Sequence, residues 1–72
     1  MNLQSTAETI SSWINSCTKP EQVGLCADAV DKFIFERFFH HVPTAEFSMV
    51  HSDLLIQIAT KAKELNQEPQ KN

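Results

Sequence analysis

The residues Thr18-Lys19-Pro20-Glu21 separate two helical patterns and leave no room for a loop between them. Threonine followed three residues later by glutamate is a capping box, in which both side chains satisfy backbone N–H groups of the first helical turn. Proline in that first turn fits the same assignment, because its missing N–H would have no helical partner. We therefore predict that one helix ends near Cys17, that the next begins near Lys19, and that the chain turns sharply between them.

The residues before this corner predict a first helix, over about residues 5–17. Ser5-Thr6-Ala7-Glu8 fits a second capping box and predicts where the helix begins. Apolar residues then recur at helical spacing and fall within roughly one third of the helical wheel. We expect these residues to face the core: Leu3, Ile10, Trp13, Ile14 and Cys17.

The second helix is predicted over about residues 19–40, before the break that Pro43 imposes on the residue preceding it. Its main apolar face comprises Val23, Cys26, Ala27, Val30, Phe33, Ile34 and Phe38. Gly24 lies inside this helix, where glycine costs about 1 kcal/mol relative to alanine. We expect the close approach of a neighbouring helix to account for it.

The third helix is predicted over about residues 44–65, with Thr44 as its cap and a possible break near Ser48. Ser52-Asp53 offers a competing cap, since acid is favourable in a first turn. One face carries Phe47, Val50, Leu54, Ile58, Ala62 and Leu65. The predicted fold is all-α: a small three-helix bundle or helical array, with one domain over residues 1–66 and a frayed, polar C-terminal tail over residues 67–72.

The charge balance argues against nucleic acid as the partner. Six basic residues face nine acidic ones, a formal net charge of −3, whereas phosphate binding requires basic side chains that displace counterions. No apolar run approaches the length of a membrane span, and no secretory leader is recognisable. Two cysteines are too few for a secreted disulfide framework, so we expect a cytoplasmic protein with two free, buried thiols.

The residue types that could carry chemistry are not arranged for it. His40, His41 and His51 accompany the two cysteines, but they lack the tight pairs that mark zinc sites. Consecutive His51-Ser52-Asp53 cannot form a hydrogen-bonded relay, and the single glycine rules out a phosphate loop. We expect no catalytic residues, no cofactor and no metal. For His51, partial burial on the third helix with one backbone partner and a proton-controlled packing switch both remain open.

Five apolar residues fall outside the main helical faces: Leu25, Phe35, Phe39, Met49 and Ile56. Phe35 and Phe39 are four residues apart and share one side of the second helix, about 120° and 160° from the centre of its apolar face. No clear partner for them is evident within the chain, and a three-helix monomer normally buries one stripe per helix.

Three explanations compete for these residues. The second helix could lie centrally, with a helix on either side of it. The spare faces could meet a second copy of the chain, or a different protein. We predict a small protein–protein interaction or accessory module that self-associates through the second helix as a homodimer, with the five residues at its interface. The alternative function is a small DNA-associated regulatory protein acting as a helical dimer.

Overall fold

The computed structural model describes residues 2–67, and they form three helices with no strand among them. Helix α1 is Leu3–Ser16 and helix α3 is Thr44–Gln67. Helix α2 has three consecutive parts: an α-helical part, Pro20–Val30, a π-helical part, Asp31–Phe35, and a final α-helical turn, Glu36–Phe38. The predicted all-α fold is confirmed, and α3 begins at Thr44 as expected and continues past Ser48 without a break.

Helix α1 begins one turn earlier than the sequence pattern predicts. Its N-cap is Asn2, whose side-chain oxygen accepts a hydrogen bond from the backbone N–H of Ser5 at 2.7 Å. The predicted capping box from Ser5 to Glu8 is therefore wrong. Asparagine is as good a cap as serine, and the earlier start buries the apolar side chain of Leu3 in the core.

The corner between α1 and α2 is as sharp as predicted, but a different side chain caps it. Lys19 is the N-cap, so the third helical residue is Gln22 and not Glu21. The Gln22 Oε1 atom accepts from the backbone N–H groups of Thr18 and Lys19 at 2.7 and 3.2 Å. The Thr18 hydroxyl donates to that same oxygen at 3.3 Å, so the predicted box from Thr18 to Glu21 is wrong.

The core lies where the three helices meet, and α2 packs against both α1 and α3. The fully buried large side chains come from all three helices: Ile10, Ile14, Val30, Ile34 and Leu54. Helices α1 and α3 also pack directly against each other, so α2 is not a central helix that separates them. The prediction for Trp13 is wrong: it was expected in the buried face of α1, but its side chain is 46% exposed.

The π-helical part of α2 changes which side chains face inward. The Glu36 N–H donates to the carbonyl of Asp31, five residues back instead of four. Such a turn takes more than 3.6 residues, so each later side chain lags behind its α-helical direction. Ile34 stays fully buried, but Phe33, which was predicted in the apolar face, is turned outward and exposed.

Two smaller expectations also change. No heavy atom of a described neighbour lies within 4 Å of the position that a Cβ on Gly24 would occupy, so the expected close approach of another helix is wrong. Helix α3 includes residue 67, which was assigned to the tail. The remainder of the predicted tail, residues 68–72, lies outside the described residues.

Candidate interaction surface

Phe35 and Phe39 stack on each other at the end of α2. Their ring centroids are 4.7 Å apart and the planes differ by 11°. Both rings also pack edge-on against Phe47 of α3, with centroids 5.9 and 5.4 Å away. The sequence-based expectation that the pair has no partner within the chain is therefore wrong.

The π-helical turn explains this contact with α3. In a regular α-helix, Phe35 and Phe39 would point well away from the apolar face of α2. The lag introduced by the longer turn rotates both rings toward α3, where Phe47 lies buried beneath them. The spacing of four residues then places one ring above the other along the helix.

These rings are only partly covered by their own chain. Phe35 remains 42% exposed and Phe39 41% exposed. His51 stacks on Phe47 with centroids 5.2 Å apart, and His40 packs edge-on against Phe39 at 4.6 Å. We name these five side chains the aromatic face: Phe35, Phe39, His40, Phe47 and His51.

His51 is half-buried, as predicted. Its imidazole lies over Phe47 and is tilted toward Phe35, with ring centroids 6.1 Å apart. The contacts that hold it are therefore with aromatic rings of two helices. His51 is a structural part of the aromatic face and borders its exposed side.

The other three predicted interface residues are exposed but lie elsewhere. Leu25 lines a groove between α1 and α2, beside Trp13. Met49, at 73% exposed the most accessible of the five, lines a groove between α1 and α3 together with Ile56 and Gln4. The five residues thus belong to three separate surfaces, and Phe35 and Phe39 are the pair whose rings stack on each other.

A second exposed aromatic pair was missed by the sequence analysis. Trp13 of α1 and Phe33 of α2 meet edge-on with ring centroids 6.4 Å apart. They border a groove that also contains Thr9 and Arg37. The position of Trp13 at the margin of the α1 stripe, about 50° from its centre, was a signal that it is not a core residue.

The two cysteines are buried, as predicted, and they are also in contact. Their Sγ atoms lie 3.6 Å apart where α1 ends beside α2. Burial, together with the contact with Cys17, raises the pKa of Cys26 from its ordinary value of 9.0 to about 11. Within residues 2–67, no group of three or more His, Cys, Asp or Glu side chains is arranged to hold a metal ion.

Helices long and apolar enough to cross a membrane are absent from the part of the chain that the structure describes. Comparison of the chain with protein-family models, with curated proteins and with solved structures returned no match.

Proposed function

We propose that this protein is a small protein–protein interaction module that self-associates through the aromatic face and has no catalytic activity. The observation that carries the proposal is the stacked pair of Phe35 and Phe39, each about two-fifths exposed, above the buried ring of Phe47. Aromatic side chains are enriched in the cores of protein interfaces, where their rings bury large apolar areas at little entropic cost.

The exposed ring area sets the expected strength of the contact. Covering the exposed parts of two phenylalanines is worth roughly 3–4 kcal/mol per chain at about 25 cal/mol per Å². Association itself costs at least about 4 kcal/mol in lost freedom of motion. The aromatic face therefore supports a weak dimer, with a dissociation constant on the order of 1 mM, unless neighbouring residues add to the interface.

The charges around the rings fit pairing with an identical copy. Lys32 and Glu36 are exposed on α2 close to Phe35 and Phe39 in the sequence, and they carry opposite signs. In a two-fold dimer the same patch occurs on both sides, so a patch that carries both signs can match itself. The net charge of −3 opposes association only weakly at physiological salt, where charges more than about 8 Å apart are largely screened.

The proposal includes a cytoplasmic location. Its support is the small number of cysteines, because proteins that mature in oxidising compartments and have small cores usually carry several disulfides. The absence of catalysis is proposed because the exposed grooves present more apolar than polar surface and each contains at most two charged side chains. None brings a nucleophile and a base within hydrogen-bonding distance among the described contacts.

Sedimentation equilibrium over a concentration range tests the self-association. We expect reversible dimerisation of the wild-type chain, which Phe39→Ser weakens by at least about a hundredfold because each chain loses one ring and the dimer loses two. Phe35 remains above Phe47 in that variant, so helical circular dichroism should be retained. Met49→Ser is the matched control: its side chain is more exposed but lies on another surface, and it should leave the dimer unchanged.

Three results would contradict the proposal. The first is a wild-type chain that remains monomeric at millimolar concentration. The second is an equal loss of association in Phe39→Ser and Met49→Ser, since the aromatic face would then have no special role. The third is loss of helical structure in Phe39→Ser, which would make Phe39 a core residue. The double change Phe35→Ser with Phe39→Ser uncovers Phe47 and should additionally lower the midpoint of thermal unfolding.

A further inference from the structure

The two thiols at the corner between α1 and α2 form a hydrogen-bonded pair. The Cys17 thiol lies 3.3 Å from the backbone carbonyl oxygen of Trp13 and donates to it. With that proton engaged, the Cys26 thiol is the donor to the sulfur of Cys17, 3.6 Å away. The two sulfur atoms are thus in van der Waals contact, and two neighbouring thiols can be joined reversibly by a disulfide bond.

The backbone around Cys17 permits the sulfurs to move closer. A disulfide requires a separation of about 2.05 Å, which is roughly 1.5 Å less than the present distance. Cys26 is held within the regular part of α2, but Cys17 is the C-cap of α1 and has extended backbone angles of φ −66° and ψ 137°. The two residues that follow it, Thr18 and Lys19, precede α2, so a shift of Cys17 affects the terminal bond from its backbone N–H to the Ile14 carbonyl, 3.2 Å long, before any internal bond of either helix.

A small oxidant can reach this pair from solvent. Both cysteines line an open groove of about 370 Å³ between α1 and α2, whose rim includes Trp13 and Leu25. Each cysteine is itself less than one-tenth exposed. A molecule the size of a hydroperoxide fits such a groove, whereas a protein thiol or a bulky disulfide meets the Trp13 and Leu25 side chains first.

We infer that Cys17 and Cys26 form a redox-active dithiol site, which a hydroperoxide oxidises to an intramolecular disulfide within the folded chain. In the first step the sulfur of Cys17 attacks one peroxide oxygen. With hydrogen peroxide, the O–O bond breaks, the Cys17 proton passes to the departing oxygen, one water leaves, and Cys17 becomes a sulfenic acid. In the second step the sulfur of Cys26 attacks the sulfenic sulfur, the S–O bond breaks, and the Cys26 proton leaves with the second water. The two thiols together lose two electrons, and the peroxide gains them.

The order of the two steps follows from the environment of the sulfurs. The pKa of Cys26, raised to about 11, keeps its proton in place at neutral pH, and the thiolate is the form that attacks a peroxide. Because Cys26 also donates its proton to the sulfur of Cys17, 3.6 Å away, we assign Cys26 to the second step, as the resolving residue. Its contact with Cys17 is also what shields the sulfenic acid from further oxidation, because a neighbouring thiol condenses with it.

Oxidation of the native protein tests this inference. The protein is treated with excess hydrogen peroxide, the reaction is quenched, and the remaining free thiols are alkylated. Cleavage after Glu21 separates the two cysteines, which lie on either side of it. We expect a linked pair of peptides whose mass is lower by two hydrogen atoms than their sum. The oxidised chain should unfold about 10 °C higher than the reduced one, because the bond closes a loop in the unfolded state. A reductant should reverse both changes.

Single variants assign the roles. In Cys26→Ser, oxidation should stop at a sulfenic acid on Cys17 that a dimedone probe labels, and no linked peptide should form. In Cys17→Ser, Cys26 should resist peroxide under the same conditions. The inference is wrong if the wild-type chain yields separate sulfinic acids, if it yields only disulfides between chains, or if it forms the linked peptide only after unfolding in guanidinium.

Discussion

The first two parts of α2 show how one longer turn changes which side chains of a helix face the core. Over Pro20–Val30 the backbone is α-helical, and Val23, Cys26 and Val30 are buried at the spacing that a 3.6-residue period predicts. Over Asp31–Phe35 the turn is longer, so Phe33 points outward and the rings beyond it point toward α3. The first part therefore contributes to the core and not to the aromatic face. The second part contributes to both the core and the exposed aromatic face.

Two single-residue deletions, one in each part, should show the largest difference in stability between these parts. A π-helical turn is equivalent to an α-helix with one extra residue, so deletion of the exposed Lys32 should restore regular α-helical geometry and leave every later side chain in place. Deletion of the exposed Asp28, in the regular part, should rotate all later residues by about 100° and remove Ile34 from the core. We expect the first variant to fold with a stability within about 1 kcal/mol of wild type and the second not to fold. Circular dichroism with urea titration measures both. Equal stability of the two variants would show that the longer turn does not set the register.

Neighbouring residues within the π-helical part should differ in their contribution to stability. Ile34 is fully buried, and Ile34→Ala should lower the free energy of unfolding by about 3 kcal/mol through lost contacts and a cavity. Phe33 is exposed and touches Trp13 at its edge, so Phe33→Ala should cost about 1 kcal/mol despite removing a larger side chain. Chemical denaturation of both variants provides the comparison. A larger loss from Phe33→Ala would mean that the longer turn is absent in solution.

The N-terminus of α2 allows a third comparison, between the predicted cap and the observed one. Gln22→Ala removes the oxygen that accepts from Thr18 and Lys19, and it should cost about 1 kcal/mol. Thr18→Ala removes only a weak donor to that oxygen, so its cost should be a few tenths of that value. Thermal melts of the two variants distinguish the caps. A greater loss in Thr18→Ala would restore the capping box that the sequence suggested.

The smallest expected effect lies in the regular part of α2 and has the opposite sign. Gly24 is exposed in a helical conformation, with free space where a Cβ would lie. Gly24→Ala should raise the free energy of unfolding by about 0.5–1 kcal/mol, because alanine loses less backbone entropy on folding. The midpoint of urea unfolding should increase correspondingly. A decrease would indicate that a neighbour occupies that space, for example in the dimer.

The sequence was sufficient for the helices and for most of the core, because apolar spacing and chain punctuation are local signals. The positions of Pro20 and Pro43 limited the helices, and the start of α3 at Thr44 followed from the continuity of its apolar face. The caps were misplaced because several adjacent residues can cap equally well. A helix capped by Asn2 and a helix capped by Ser5 would bury different apolar residues. Which of the two is favoured depends on the packing of the whole fold.

The candidate surface was harder to predict because it depends on a departure from regular geometry. No residue type in Asp31–Phe35 specifies a π-helical turn, so the wheel placed Phe33 inside and left Phe35 and Phe39 without a partner. The contact with Phe47 was also invisible, since it joins two helices across the chain. The contact between Cys17 and Cys26 could be predicted only from the direction in which the chain turns at the corner. Capping patterns show where the corner lies but not which way the chain turns there.

The short corner between α1 and α2 also has a kinetic consequence. Its contacts join residues that are near in sequence, such as Cys17 and Cys26, so forming them closes a loop of low entropic cost. Contacts of α3 with α1, such as the 2.6 Å hydrogen bond from Ser11 to Gln57, close a loop of more than forty residues. We expect the α1–α2 hairpin to be largely formed in the transition state for folding, with α3 docking afterwards. Substitutions in the corner should then slow refolding, whereas substitutions in α3 should chiefly accelerate unfolding.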